Sequence, residues 1–284
     1  MLTHTFCHLP GIGLNTEKRW WDQGILTWED FLVHKPSRMS ASRHRFLAQE
    51  IEDSLYRLES GQAAYFSARL PKSETWRVFA SFTHSLAYVD IETTGGLNGL
   101  DHITTIAAYD RTQVHTFVHG RNLEQAADLL VQAQLLITYN GSCFDLPYLR
   151  RELGLPTPAA HIDLRFVLAS LGLKGGLKGC ERQLGLDRGE LDGFDGYLAV
   201  LLWHGHQTHQ DTRYLHTLLR YNCEDVLNLD VLMTEAWNRK LDLLPFSGFH
   251  LRLPRPWPLS NPFPLHPEIL DRVRSVVSSP ETKP

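Results

Sequence analysis

Cysteine is scarce in this chain of 284 residues, and its four members, Cys7, Cys143, Cys180 and Cys223, show no C-x-x-C spacing. That excludes a zinc ribbon and supplies no disulfide framework, so a reducing, cytoplasmic setting is expected. No apolar run approaches the roughly 20 residues that a membrane-spanning helix needs. The start, MLTHTFCHLPG, has no charged segment followed by an apolar one, so neither membrane nor secretion is expected. An excess of one charge is lacking too: 28 Lys and Arg stand against 32 Asp and Glu, a net of −4. A chain so nearly balanced does not attract nucleic acid through its bulk field, and any attraction to phosphate has to be local. No internal repeat is present. Apolar residues make up 43% of the chain, enough for one large core and a small accessory unit.

Acidic residues recur in three short stretches: YVDIET with Asp90 and Glu92, TYNGSCFDLPYL with Asp145, and YNCEDV with Tyr221 and Asp225. Asp90 and Glu92 are two apart in SLAYVDIETTG, which reads as a strand, so both side chains leave one face. Tyr221 and Asp225 are four apart where Leu218, Leu219, Val226, Leu229 and Leu232 follow a helical period, which stacks the phenol and the carboxylate one turn apart. Asp145 follows a strand-like QLLITYNG, at what reads as the first turn of a helix running through Leu149 and Leu153. Carboxylates gathered from three elements repel one another and need a counter-charge to stay ionised. Oxygen ligands suit Mg²⁺ or Mn²⁺, whereas zinc prefers Cys and His. Two such ions, about 3.5 to 4 Å apart, can clamp the attacking and leaving oxygens of a displacement at phosphorus. The constellation therefore points to phosphodiester hydrolysis.

The order DxE, distal Asp, YxxxD resembles the DnaQ-like exonucleases of the ribonuclease H superfamily, called DEDD for their four acidic residues. The resemblance implies that Asp90, Glu92, Asp145 and Asp225 are metal ligands and that Tyr221 orients or deprotonates the attacking water. Tyrosine at that position implies the DEDDy branch. HIDLR (161–165), GGLKGCERQLGL (175–186), GYLAVLLW (196–203) and LLRYNCEDVLNL are similar to the bacterial YprB-type ribonuclease H-like domain. The likeness covers roughly residues 80 to 240. It implies 3′ to 5′ exonucleolysis of single-stranded DNA or RNA with release of nucleoside monophosphates. Competing readings are a non-catalytic nucleic-acid or protein-binding module on the same scaffold, and a structure-specific endonuclease.

Neighbouring residues carry finer expectations. Thr93, Thr94 and Gly95 form a polar turn whose N–H groups can approach a phosphate or a terminal nucleotide, or an ordinary hairpin turn. Asn140, before Gly141, is a candidate contact to sugar or phosphate, or a plain loop residue. Phe144 and Leu146 flank Asp145 as packing residues, although the resemblance allows Phe144 to stack on a base. Asp163 is read as the N-cap of the helix LRFVLASLG in preference to a fifth site carboxylate. LKGGLKG (173–179) is a candidate backbone contact or an inter-helix loop, and His204, His206 and His209 are read as exposed in a polar loop.

At the amino terminus, LPGIG between two potentially helical segments resembles a helix-hairpin-helix, in which Gly11 and Gly13 would present N–H groups to a phosphate. A dinucleotide fold is rejected, because no strand precedes the glycines and Thr16 stands where a third glycine belongs. Trp20 and Trp21 suit a small core. The basic stretch KPSRMSASRHR (35–45) reads as a solvated linker or helix face, or as an extension of a binding surface. After Leu244 closely spaced prolines exclude regular structure, giving an extended tail packed through Phe246, Phe249 and Trp257, and SSPETKP reads as disordered. The expected fold is α/β, a mixed sheet flanked by helices. Its strands are YVDIETTG, ITTIAAYD, QVHTFVHG and LLITYNG, with the helix EQAADLLVQAQ before the last. The expected organisation is a helical unit at residues 1–75, the ribonuclease H-like domain at 80–240 and a Pro-rich extension at 241–284.

Overall fold

The computed structural model describes residues 1–96, 101–194, 196–246, 249–257 and 259–278. The chain opens with a 3₁₀ turn, Leu2–His4, and then helices α1 (Leu14–Trp21), α2 (Trp28–Val33), α3 (Ala41–Glu59) and α4 (Ala63–Arg69). Helix α2 starts at a reciprocal cap. Thr27 Oγ1 accepts the Asp30 N–H at 3.1 Å, and Asp30 Oδ2 accepts the Thr27 N–H at 2.8 Å, so two donors of the first turn are satisfied at once.

The sheet follows: β1 (Leu86–Thr93), β2 (Ile103–Tyr109), β3 (Val114–Val118), helix α5 (Gln125–Gln132), β4 (Leu135–Thr138), helix α6 (Asp145–Leu153) and β5 (His161–Asp163). Strand order is β3-β2-β1-β4-β5. β1 to β3 form an antiparallel meander, while β1 pairs in parallel with β4 and β4 with β5. The expected mixed sheet is present, with all four strands foreseen. The fifth, β5, spans three residues, too few to show a period. Helices α7 (Leu164–Ser170), α8 (Gly176–Gln183), α9 (Tyr197–His209) and α10 (Thr212–Asp242) complete the domain.

Alternation along β1 sorts its side chains into two layers. Ala87, Val89 and Ile91 join the apolar cluster formed with Ala126 and Leu130 of α5 and Leu149 of α6. Tyr88 and Asp90 point the other way, to α10: the Tyr88 hydroxyl donates to Asp230 at 2.6 Å and the Asn222 amide donates to Asp90 at 2.6 Å. Arg111 also pairs with Asp230, at 3.1 Å. A single apolar cluster runs from the amino-terminal residues Leu2, Phe6, Trp20 and Trp28 through Tyr88 and Ile137 to Trp237 of α10. Trp76 meets Trp237 edge-on at 5.5 Å, and Arg77 is buried between Glu17 and Glu74.

Three segments differ from expectation. LKGGLKG is not a loop throughout, because α8 begins at Gly176. The histidines of HGHQTHQ belong to the last turns of α9, not to a polar loop. The Pro-rich tail is not extended throughout: Pro267–Ser278 forms α11, where proline's fixed φ suits the first helical position. Its Ile269, Leu270 and Val273 pack against Leu198 and Trp203 of α9. Phe246 stacks on His4 at 5.3 Å, but Trp257 is 92% exposed and does not pack across the domain surface of the described residues. The Phe249 side chain and residues 279–284 of SSPETKP lie outside the described residues. No described helix is long and apolar enough to cross a membrane.

Trp237 is fully buried and its indole N–H donates to the Leu251 carbonyl at 2.9 Å. Trp237→Ala is expected to cost about 3–5 kcal/mol, the range for a buried aromatic replaced by alanine. Urea unfolding with an unchanged m-value is the check, and a loss under 1 kcal/mol would contradict the packing role.

Candidate functional site

The site forms where the parallel and antiparallel halves of the sheet meet, at the carboxyl ends of β1 and β4. Ligand oxygens of Asp90, Glu92 and Asp225 lie within 4.8 Å of one another. Asp90 and Glu92 share the face of β1 that α10 covers, and Asp225 comes down from α10. Asn222, fully buried one turn earlier, ties the two elements together. It accepts from Thr105 Oγ1 at 3.1 Å and donates to both the carbonyl (3.2 Å) and the carboxylate (2.6 Å) of Asp90. Asp145 begins α6 as foreseen and stands beside this trio, its Oδ1 accepting the Ile91 N–H at 3.2 Å between Asp90 and Glu92.

Crowding of half-buried Asp90 and Glu92 with buried Asp145 and Asp225 raises all four carboxyl groups. Burial, and then the charges of Asp225, Glu92 and Asp145, hold Asp90 well above the usual carboxylate range. Glu92 is likewise raised, by burial and then by Asp225, with Lys178 and Arg188 opposing. Burial pushes Asp145 up to about 7, against hydrogen bonds from backbone N–H groups. Asp225 is also raised by burial, with the Arg188 guanidinium pulling it back.

Two cations that the sequence reading did not place at the site enter from α8 and the loop after it. Lys178 donates to the Tyr221 hydroxyl at 2.5 Å and to the Phe194 carbonyl, and lies 4.6 Å from the Tyr221 ring centre. Arg188 grips Glu181 with two nitrogens, at 2.5 and 2.8 Å, and donates to Asp225. Glu181 is itself held by the Asn228 amide of α10 at 2.8 Å. The signal for Lys178 and Glu181 was their three-residue spacing on a helix, which the glycine-rich run concealed. Nothing local marks Arg188, since its partners are distant in sequence. A cavity of about 250 Å³ lined by Lys178, Glu181, Arg182, Asp187, Arg188 and Asp192 adjoins the cluster.

The remaining expected contacts fall as follows. Thr93 ends β1 and Thr94 bonds both ways with His102 in the β1–β2 hairpin; Gly95 N–H is taken by Thr93 Oγ1. The N–H groups of Thr94 and Gly95 are thus engaged, which leaves hydroxyl protons to offer a ligand. Asn140 adopts a left-handed φ of 65° with its N–H on Asp163 and its Oδ1 on Arg165. Asp163 caps α7, as expected, and accepts from Asn140, Ser142 and Arg165. Phe144 does not pack beneath the site: it is exposed and leans on Tyr148, ring centres 5.0 Å apart. Leu146 does pack, against the α5–α6 side. Gly11 has φ 72° in the amino-terminal hairpin and Gly13 caps α1. One 3₁₀ turn precedes that hairpin where a helix was expected.

Residues 87–237 match the family model RNase_H_2, described as RNase_H superfamily. The chain belongs to the RNase_H superfamily. No curated protein matches it. Among solved structures, the family B DNA polymerase from the hyperthermophilic archaeon Pyrobaculum calidifontis aligns with TM-score 0.42 and 19% identity, over 55% of this chain and 24% of that one. The Nibbler EXO domain of Aedes aegypti aligns with TM-score 0.40 and 12% identity, over 63% of this chain and 90% of that one. This RNase_H superfamily chain therefore spans about a quarter of the polymerase.

The donor set fits a hard divalent ion. Oxygens of Asp90, Glu92 and Asp225 converge with no Cys or His among them, and the raised carboxyl groups show that the protein's own cations leave repulsion unrelieved.

Two predictions follow from this electrostatic balance. Arg188→Met leaves Glu181 and Asp225 buried without their cation, so the metal-free protein should lose about 3–5 kcal/mol, and Glu181→Met added to it should restore part of that. Denaturant titration of both variants in EDTA tests the pairing, and an unchanged single variant would refute it. For Asp145, a folded pKa of about 7 above the ordinary value means that the native state keeps a proton that the unfolded chain releases. Stability from that source is lost as pH rises from about 4 to 7. In EDTA the wild type should therefore lose stability relative to Asp145→Asn across that window, and a constant difference would contradict the shift.

Proposed function

We propose that this chain is a metal-dependent 3′ to 5′ exonuclease of single-stranded DNA or RNA, of the DEDDy type, releasing nucleoside monophosphates. The observation that carries the reading is the convergence of Asp90, Glu92 and Asp225 within 4.8 Å, with Tyr221 one turn from Asp225 and Asp145 alongside. Strand direction and products rest on the motif resemblance. Asp90, Glu92, Asp145 and Asp225 would hold a pair of Mg²⁺ or Mn²⁺ ions, which when bound supply activation of water and stabilisation of the leaving 3′ oxygen.

The chain's own groups orient the reactants. Burial, and then the charges of Asp225 and Glu92, push the Tyr221 hydroxyl far above the usual phenol range. In the metal-free protein it is therefore protonated and placed to act as a donor that orients. Because Lys178 donates to the Tyr221 oxygen, the tyrosine's proton is left for another acceptor, such as an attacking water or a phosphate oxygen. Arg188 restrains the Asp225 carboxylate. Thr93, Thr94, Asn140 and Phe144 would contact substrate, the exposed ring of Phe144 offering a surface on which a base can stack.

A denaturing-gel time course with 5′-labelled single-stranded DNA and RNA, in Mg²⁺, Mn²⁺ or EDTA, tests the reading. We expect a metal-dependent ladder shortening from the 3′ end, abolished by Asp90→Asn and by Asp225→Asn with the fold retained. Tyr221→Phe should lower turnover on the order of 10²-fold with little change in KM. Cleavage of circular single strands would replace the exonuclease by an endonuclease, and the absence of any cleavage would favour a binding module.

A further inference from the structure

Two sequence features with no place in the catalytic cluster, the amino-terminal hairpin and the basic stretch from Lys35 to Arg45, meet in the folded protein. They form the two sides of a groove of about 650 Å³. One side is α1 with the hairpin residue Ile12, contributing Thr16, Arg19 and Gln23; the other contributes Ser37, Arg38 and Arg43. Trp20 and Met39 supply apolar surface between them. No carboxylate is among the described lining residues.

The charge in this groove is uncompensated, whereas three other arginines of the same region are paired. Arg57 pairs with Asp53, Arg69 with Glu50, and Arg77 with Glu17 and Glu74. The three groove arginines have no carboxylate partner among the described residues. Arg19 bonds the Asn15 carbonyl and Thr16 Oγ1 of its own helix, and Arg43 bonds the Pro10 carbonyl of the hairpin, which fixes both guanidinium groups without neutralising them. Arg38 has no hydrogen bond or ion pair among the described residues and stands on a left-handed residue, φ 62°. Three guanidinium groups beside hydroxyl and amide donors suit an extended anion with several oxygens, and the volume exceeds what a single phosphate would fill.

We propose that this groove binds a run of nucleic-acid phosphodiester backbone, a second contact surface separate from the carboxylate cluster. The choice of polymer rests on the proposed nuclease reading; the site itself rests on the groove. A chain whose net charge is −4 needs such a local positive surface to retain a polyanion, and its contacts are to phosphate and so independent of sequence.

The test is fluorescence polarisation of labelled single-stranded DNA and, separately, RNA on full-length protein carrying Asp90→Asn in EDTA, so that no cleavage intervenes. Arg19→Glu/Arg38→Glu is compared with Arg121→Glu/Arg272→Glu, which changes net charge equally at exposed positions that do not line the groove. Circular dichroism confirms folding of both. The groove variant should bind on the order of tenfold more weakly than the control and lower the slope of log affinity against log salt by about 1 to 2. The DNA and RNA arms show which backbone is held. Equal affinity and slope in the two variants, or no measurable binding of either polymer by the parent protein, would overturn the proposal. Groove-dependent binding without any cleavage by the wild type would retain the groove and discard the nuclease; cleavage with no groove dependence would do the reverse.

Discussion

The packing of α10 across β1 sets the geometry on which the centre of this protein depends, because it brings carboxylates that repel one another onto facing surfaces. Asp90 and Glu92 project toward the helix as a consequence of strand alternation alone, and Asp225 meets them only if the helix keeps its register. That register is fixed at two heights. Tyr88 and Arg111 hold Asp230 near the start of β1, and Asn222 spans Asp90 and Thr105 farther along. Asp230 lies five residues after Asp225 and Asn222 three before it, so a one-residue slip would break both anchors together. Neutral and ionic hydrogen bonds thus oppose the repulsion that the same packing creates.

Much of this was legible in the sequence because it is local. The strand holding Asp90 and Glu92 and the helix holding Tyr221 and Asp225 follow from periods of 2 and 3.6, and the start of α6 at Asp145 follows from the turn before it. What was not legible has a common cause. β5 is three residues long. Helix α8 begins with a pair of glycines that read as a loop, and the helical habit of its remainder shows only through packing. Arg188 meets Glu181 and Asp225 across 7 and 37 residues, and no spacing rule connects an arginine in a loop with a carboxylate on a distant helix. Asn222 was likewise hidden: an amide between a tyrosine and an acidic pair looks like an exposed helix position until β1 is laid against it.

The tail and the amino terminus show how tertiary contact overrides composition. Prolines forbid helix where they interrupt a period, yet Pro267 starts α11 because the residues after it, Ile269, Leu270 and Val273, have an apolar surface on α9 to cover. At the other end, the hairpin lacks the preceding helix of the module that it resembles, and its neighbours Phe6, Trp20 and Trp28 belong to the same apolar cluster as Trp237. Glu17, from α1, is spent on Arg77 inside that cluster. Its charge is turned inward, and no carboxylate is among the described residues that line the groove.

Half-buried Lys178 and buried Arg188 explain how such a cluster of carboxyl groups can exist in the folded chain and still suit a cation. Without Lys178 and Arg188, the carboxyl groups of Glu92, Asp225 and Glu181 would lose the cations that oppose their desolvation, a cost that a marginally stable fold does not easily offset. Fuller pairing would lower the raised values at Asp90, Glu92 and Asp145, and with them the attraction for a cation. The arrangement falls between these limits. Arg188 directs two of its nitrogens to Glu181 and shares one of them with Asp225, so its charge is divided between the acidic trio and a carboxylate outside it. Lys178 is turned toward the tyrosine hydroxyl and a backbone carbonyl. Asp90 has the Asn222 amide and Glu92 the opposing charges of Lys178 and Arg188, and burial and repulsion still raise both where their oxygens converge with that of Asp225.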